Sequence, residues 1–239
     1  MGSRSSNECK IDILVQAFSA ISGIAPAHRV SVALDTAYRL LVDERSGVVK
    51  LLDPPLKNTS GVGYITDYPE GIRENGGQYT HAAVWFAIAL FECGEYERAM
   101  KVLQLLNPIE KVKTREDMEK YGNEPYVISA DVYSGEHAGE GGWSWYTGAA
   151  GWLYKCITEK YLGIKITGEV LTLNPCLTDS DPGFTIRIRR GGCNITIVVD
   201  NSAKEGDWRL TIGGVTYNSA SVRLFSSLNG KNIMLSRQK

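Results

Sequence analysis

Apolar residues recur at a helical period through the first two thirds of the chain and at a strand period through the last third. From Cys9 to Ile21 they fall at Leu14, Ala17, Phe18 and Ile21, the i, i+3, i+4, i+7 stripe of an amphipathic helix. Ser22-Gly23 stops that helix. Pro26 opens a second one, at a position where a missing N–H costs nothing. Its stripe is Val30, Leu34, Ala37 and Leu41, and it ends near Asp43. Gly47 to Tyr68 holds Pro54, Pro55, Gly61 and Gly63 and predicts a long irregular loop, more often functional than a passive connection. Tyr79 to Cys93 is apolar nearly all round, the pattern of a helix buried on most sides. Gly94 ends it. A fourth helix carries Tyr96, Ala99, Leu103 and Leu106 on one face, with Asn107-Pro108 as its stop. Thr114-Arg115-Glu116-Asp117 predicts a capped start for a short helix to Lys120. Ala149, Trp152, Leu153, Cys156, Ile157 and Tyr161 give a fifth long stripe.

After Gly163 the period changes to two. Phe184 to Arg189 alternates strictly, and Cys193 to Ile197 follows across Gly191-Gly192, which predicts a hairpin. Trp208 to Ile212 and Val215 to Tyr217, across Gly213-Gly214, predict a second. Val222 to Phe225 and Ile233 to Leu235, on either side of Asn229-Gly230, predict a third. The fold class is therefore α+β. Paired helices with an apolar inner member over residues 1–163 suggest an α/α toroid, and residues 164–239 predict an antiparallel, sandwich-like β module. About five long helices are visible where a six-hairpin toroid needs about twelve, so the array is open or belongs to something longer. Met1 to Ser6 has no structural pattern of its own.

Two glycine-rich stretches carry the candidate chemistry. The first, Tyr68 to His81, sets Arg73, Glu74, Gln78 and His81 around Gly76-Gly77 just before the most apolar helix. The second, Gly141 to Trp152, places Trp143, Trp145 and Tyr146 before another helix. Aromatics interleaved with glycine suit stacking on pyranose faces, since each joins a broad apolar face to a polar tip; the plainer reading is that they are core. Thr147-Gly148-Ala149-Ala150-Gly151 opens a helix with a hydroxyl and small residues, where free N–H groups and the helix dipole favour an anion. The plainer reading there is an ordinary cap. With His81 as a second donor the pattern favours phosphate. His81 alone reads as a satisfied core residue, and His28 and His137 show no metal-ligand spacing. Glu74, Glu124, Asp131, Glu136 and Glu140 are the nearby carboxylates. No spacing singles out the acid–base pair that glycoside hydrolysis needs. A phosphate nucleophile removes the need for a base. Serine chemistry finds no GxSxG.

Composition narrows the class. The 239 residues are 43% hydrophobic and 22% charged, an ordinary globular balance, and the formal net charge of −1 leaves no basic excess for nucleic acid. Five widely spaced cysteines without a CxxC pair read as free thiols of a reducing cytosol. Asn58-Thr59-Ser60 and Asn194-Ile195-Thr196 match the glycosylation pattern, but the N-terminus is polar and no apolar run reaches the ~18 residues of a membrane span.

The motifs together resemble glycoside hydrolase family 94, the cellobiose and chitobiose phosphorylases and the phosphorylase-like module of cyclic β-1,2-glucan synthases. They are Cys9-Lys10-Ile11-Asp12, the whole of Tyr68 to His81, Leu106-Asn107-Pro108-Ile109, Glu124-Pro125-Tyr126-Val127, Ala130-Asp131-Val132-Tyr133 and Gly141 to Gly148. The Asp131-Val132-Tyr133-Ser134 form is closer to the glucan-synthase branch. The resemblance implies an (α/α)6 barrel followed by a β module. It implies inverting phosphorolysis of a β-glucoside to α-glucose 1-phosphate, or the reverse synthesis. It implies that His81, Thr147 and Gly148 bind phosphate and that Glu74 contacts sugar; Arg73, Gln78, Trp145 and Tyr146, from the two glycine-rich stretches, are the further residues expected to bind the sugar. The family's general acid is an aspartate in an Asp-Trp-Asn-Asp motif upstream of the matching region, and that motif does not occur in this sequence.

The expected function is therefore the C-terminal part of an inverting glycoside phosphorylase or glycosyltransferase, inactive in isolation and without a catalytic residue of its own. The alternative is a non-catalytic carbohydrate-binding or accessory subunit that completes a partner's site; a weaker option is an inverting hydrolase with Glu74 as acid. The expected partners are a β-linked glucose oligosaccharide or disaccharide, phosphate as co-substrate, and either a second copy or the N-terminal half. No cofactor, metal, nucleic acid or membrane is expected, and the expected location is cytoplasmic.

Overall fold

The computed structural model describes residues 2–3, 5–204, 206–217, 219–223 and 228–238. The chain divides into two compact units, Met1–Cys156 and Ile157–Lys239. The first holds α1 (Ile13–Ile21), α2 (Ala27–Leu41), α3 (Thr80–Glu92), α4 (Tyr96–Leu106), α5 (Arg115–Tyr121) and α6 (Ala149–Lys155). Ten of the 13 residues of α3 are buried, and α3 packs against α1, α4 and α6. Its alanines at 82, 83, 87 and 89 let those neighbours approach closely. The helices α2, which packs against α1, and α4 are one-sided. α2 buries Val30, Leu34, Ala37 and Leu41, the four residues of its predicted stripe, and α4 buries Ala99, Val102, Leu103 and Leu106. Each such aliphatic side chain larger than alanine stabilises by about 1.5–3 kcal/mol when fully removed from water.

The ends of these helices follow from local chemistry. Asp12 caps α1 by accepting the Leu14 and Val15 N–H groups. Thr114 caps α5 by accepting the Asp117 N–H at 3.1 Å, and Gly122 closes that helix in the left-handed conformation at φ 69°. The fifth predicted stripe is α-helical only over Ala149–Lys155. From Cys156 to Tyr161 the same run continues as a π-helical turn.

Six two-residue strands tie the loops of this unit together: β1 (Ile11–Asp12), β2 (Val42–Asp43), β3 (Val48–Val49), β4 (Leu52–Asp53), β5 (Gln78–Tyr79) and β6 (Asp131–Val132). They pair as β1–β4, β2–β3 and β5–β6, all antiparallel. The loop from 47 to 68 is thereby partly ordered. The buried Asn75 amide fastens it further, accepting the Leu56 N–H at 2.7 Å and donating to the carbonyls of Leu56 and Tyr68. The Glu8 carboxylate fastens its next turn, accepting from the N–H groups of Lys57, Asn58 and Thr59.

The second unit contains β7 (Ile164–Thr167), β8 (Val170–Leu173), β9 (Gly183–Arg190), β10 (Cys193–Asp200), β11 (Asp207–Ile212), β12 (Val215–Tyr217), β13 (Ser221–Arg223) and β14 (Asn232–Gln238). A five-stranded sheet runs in the order β12-β11-β14-β10-β9 and a three-stranded one in the order β13-β8-β7. Leu171 and Leu173 of the small sheet and Ile195, Ile197, Leu210, Ile233 and Leu235 of the large one share a single buried cluster. The first two predicted hairpins form as β9–β10 and β11–β12.

Two expectations are corrected here. The module is not wholly antiparallel, because β14 runs parallel to β10, with Ile197 opposite Ile233. The third hairpin does not form either: β13 pairs with β8, Val222 opposite Leu171, while β14 inserts between β10 and β11. Alternation specifies which face of a strand is buried and leaves the partner open. The central position removes Ile233 and Leu235 from water completely, which an edge strand at the end of a hairpin does not achieve. Phe225, the expected end of that strand, lies outside the described residues.

Candidate active site

β5 runs directly into α3, so its pairing with β6 fixes what meets at the start of the most buried helix. Tyr79 lies opposite Asp131 and Gln78 opposite Val132. The second glycine-rich stretch joins the same strand: the Ala130 N–H donates to the Trp143 carbonyl and the Gly142 N–H to the Asp131 carbonyl. The first stretch joins through Ser134, whose N–H donates to the Gly71 carbonyl and whose hydroxyl donates to the Gly76 carbonyl. Residues 68–81, 130–134 and 141–152 thus form one hydrogen-bonded junction. Its tightness dictates glycine. A Cβ on Gly77 would stand 2.6 Å from the Arg73 carbonyl oxygen and 2.9 Å from that of Gly71.

Arg73 is at the centre, in the left-handed conformation at φ 50° that few non-glycine residues adopt. Its guanidinium lies over the Tyr68 ring at 5.4 Å and the Trp143 ring at 5.0 Å, close enough for cation–π attraction. Its Nε stands 3.9 Å from both Glu74 Oε2 and Asp131 Oδ2. All three of these atoms are buried and none has a hydrogen-bond partner. Asp131 is the most enclosed. Its side chain is 3% exposed, and its Oδ1 accepts the Trp143 N–H at 2.9 Å. Burial pushes the Asp131 carboxyl above the usual range, against the Trp143 N–H and the Arg73 charge.

A second cluster gathers around His81. Its ring lies 4.2 Å from Trp85 and 6.1 Å from Trp152, and a Cβ on Gly148 would come within 3.0 Å of His81 Cε1. The first turn of α6 therefore packs against the histidine. His81 Nε2 and Trp85 Nε1 are buried without partners. Burial lowers the His81 pKa, so the ring favours its neutral form. Thr147 lies one residue before the helix cap Gly148, and its hydroxyl oxygen accepts the Ala149 N–H at 3.0 Å, which leaves the hydroxyl proton free to be donated.

The remaining expected residues divide. Trp145 and Tyr146 are 72% and 79% exposed. The Trp145 indole N–H donates to Glu124, which also accepts the Ser144 hydroxyl and has its pKa lowered chiefly by the indole bond. Gln78 is buried at 1% exposure. Its Oε1 accepts the Val49 N–H and its Nε2 donates to Thr80, so its amide braces the junction from inside rather than facing outward. Asp131 is the residue outside the expected set that the junction adds. Its place between the two glycine-rich stretches was visible in the sequence, but a two-residue strand leaves no alternation to show that it turns inward. A separate cleft of about 860 Å³, lined by Ile21, Ala27, Leu34, Cys93 and Arg98, sits toward the other end of α3 and holds none of the expected residues. Among the described residues no helix is long and apolar enough to cross a membrane.

The profile of the Glycosyl hydrolase 94 superfamily, catalytic domain, matches residues 1–163. The chain is 42% identical over 209 residues to the cyclic beta-(1,2)-glucan synthase NdvB of Rhizobium meliloti (strain 1021), an alignment covering 87% of this chain and 7% of that protein. It is 28% identical over 222 residues to the N,N'-diacetylchitobiose phosphorylase of Vibrio proteolyticus, covering 90% of this chain and 27% of the relative. The chain thus spans under a third of the length of either. The solved family GH92 alpha-mannosidase BT3965 of Bacteroides thetaiotaomicron matches with a TM-score of 0.33 and 13% identity, over 95% of this chain and 23% of that one, a likeness too slight to carry an argument.

Proposed function

Because the chain belongs to the glycosyl hydrolase 94 superfamily, we propose that its first unit supplies the phosphate and sugar contacts of an inverting phosphorylase or glucan-synthase-type transferase acting on β-linked glucose units. The observation that carries this reading is the junction itself. One loop brings the cation Arg73 between two aromatic rings, and the helix after it brings the unpaired His81 Nε2 against the Thr147-Gly148 turn. The first arrangement suits a hydroxyl-rich ring that stacks and accepts a hydrogen bond. The second suits an oxyanion, with the His81 ring N–H and the Thr147 hydroxyl as donors. Glu74 and Arg73 would hold sugar hydroxyls, and the exposed Trp145 and Tyr146 would extend the stacking surface. Inorganic phosphate would be the nucleophile, so no protein base is required.

The one-sided α2 packed on α1, and the one-sided α4 packed on the apolar α3, support two consecutive hairpins of an (α/α)6 toroid, with α1 and α3 inside and α2 and α4 outside. No Asp-Trp-Asn-Asp motif occurs in the sequence; of the junction's carboxylates, Glu74 and Asp131 stand beside the Arg73 charge, Asp131 accepts the Trp143 N–H and Glu124 accepts the Trp145 indole N–H. The proton donor would then come from outside residues 1–239, and these residues alone would not phosphorolyse cellobiose, laminaribiose or sophorose.

Phosphate binding tests the reading directly. Titrating inorganic phosphate into the purified chain by 31P NMR should show saturable binding that His81→Ala and Thr147→Val each weaken, while Cys93→Ser at the far end of α3 leaves it unchanged. Binding that survives both substitutions would overturn the assignment.

A further inference from the structure

Arg73 has two carboxylates for one charge, and they are not equivalent. Glu74 is its chain neighbour and moves with the same loop. Asp131 stands on a different strand, fixed by the β5–β6 pairing and by the Trp143 N–H. We infer that Asp131 is the positioning residue of the proposed sugar subsite, the anion that holds the Arg73 guanidinium between Tyr68 and Trp143. The inference rests on the sugar-binding role proposed above for Arg73.

Three observations support it. Arg73 Nε has no hydrogen-bond partner, so the guanidinium is held by charge and by the two ring faces. A free arginine on a loop keeps its head in water while its stem lies along the protein, and a buried anion behind Nε opposes that tendency. Asp131 is also boxed in: a Cβ on Gly142 would come within about 2.5 Å of its carboxylate. The acid therefore cannot follow Arg73 outward, and Arg73 is referenced to the scaffold instead. Finally, one Asp131 oxygen fixes the backbone of Trp143, whose ring forms one side of the clamp, while the other oxygen faces the cation. A single side chain thus sets both the guanidinium and one of its stacking partners.

Asp131→Asn separates charge from shape, because the amide oxygen can still accept the Trp143 N–H. In the ligand-free chain, side-chain 15N NMR should show the Arg73 Nε–H exchanging with water at least tenfold faster in Asp131→Asn than in wild type, with the Trp143 amide still protected from exchange. Calorimetric titration with sophorose should show affinity falling about tenfold, in line with coupling energies for contacting charged groups. In an Arg73→Met background, Asp131→Asn should have no further effect. Unchanged Arg73 exchange in Asp131→Asn, or an equal loss of affinity in the Arg73→Met background, would overturn the role. If wild type binds no sophorose, the sugar reading fails, and the Arg73 exchange rate still decides the positioning role.

Discussion

Gly142→Ala is the most direct mechanical test of the junction. The backbone at Gly142 is not left-handed, so alanine brings no conformational strain there, and its effect comes from the added methyl group. That methyl would fall within 2.5 Å of Asp131 Cγ and Oδ1, far inside contact distance. Two movements could relieve it. Turning the carboxylate gives up the charge-assisted bond from the Trp143 N–H, worth about 1.5–3 kcal/mol. Withdrawing the loop breaks the bonds between Gly142 and Asp131 and between Ala130 and Trp143. Either route destabilises the first unit by about 2–4 kcal/mol. Gly151→Ala is the matched control. It lies in α6 with nothing within 4 Å of its added Cβ, and an alanine in an open helical position stabilises by about 0.5–1 kcal/mol. Urea unfolding followed by far-UV circular dichroism reads both variants on one scale. If Gly142→Ala unfolds within about 0.5 kcal/mol of wild type, the scatter ordinary at an unremarkable surface site, the packing of Asp131 against this loop is not as described.

Two pH effects follow from groups outside the junction. Burial pushes the Lys111 ammonium, bonded to the Gly47 carbonyl, down to about 8 from 10.5. The unfolded chain then binds more protons between those values, so stability rises with pH across that window by up to about 3 kcal/mol. Urea unfolding at pH 7.5, 9 and 10.5 should show this rise in wild type relative to Lys111→Met, and parallel curves would refute it. The Glu8 carboxyl is held at about 2, from 4.5, chiefly by the Lys57 N–H and next by the Thr59 hydroxyl. Its contribution is present above 4.5 and lost as pH falls toward 2, so the protection of the Lys57, Asn58 and Thr59 amides, relative to their intrinsic exchange rates, should fall over that range in wild type and be low at every pH in Glu8→Gln.

The helical unit was legible because its signals are local and repeated. The α2 stripe names the four residues that the helix buries, and Thr114 caps α5 as its spacing to Asp117 requires. The β module was legible strand by strand but not in its pairing. Ile233 and Leu235 show that β14 has a buried face, and nothing local distinguishes a hairpin arm from a strand inserted between two others. The six short strands were not legible at all, since two residues cannot display a period. One pair of them, β5–β6, nevertheless frames the candidate site. Without the β5–β6 pair, Asp131 would be one more carboxylate between two loops.

What the sequence could show of the site was its residue types. What it could not show was which polar atoms go unpaired. Leaving a buried polar group without a partner costs roughly 2–7 kcal/mol on transfer scales and about 1–3 kcal/mol by mutation in proteins, so folds ordinarily avoid it. Gln78 and Asn75 illustrate the rule inside the same loop: each is buried, and each has its amide engaged by backbone or by Thr80. Arg73 Nε, Glu74 Oε2, His81 Nε2, Trp85 Nε1 and Asp131 Oδ2 break the rule together, on the 68–81 loop, α3 and β6, which the β5–β6 pair and the Ser134 bonds to Gly71 and Gly76 hold together; among the described residues two further such atoms, Asn201 Oδ1 and Arg237 Nε, lie in the second unit. A packing fault would leave one such atom with neighbours free to adjust. Five of them, with an arginine in a left-handed conformation and glycines packed against backbone and carboxylate, leave little room for adjustment. Local rules that fail in concert at one place mark where a chain answers to a ligand as well as to its own fold. That concentration, more than any one motif, is the ground on which sugar and phosphate contacts are proposed at the start of α3.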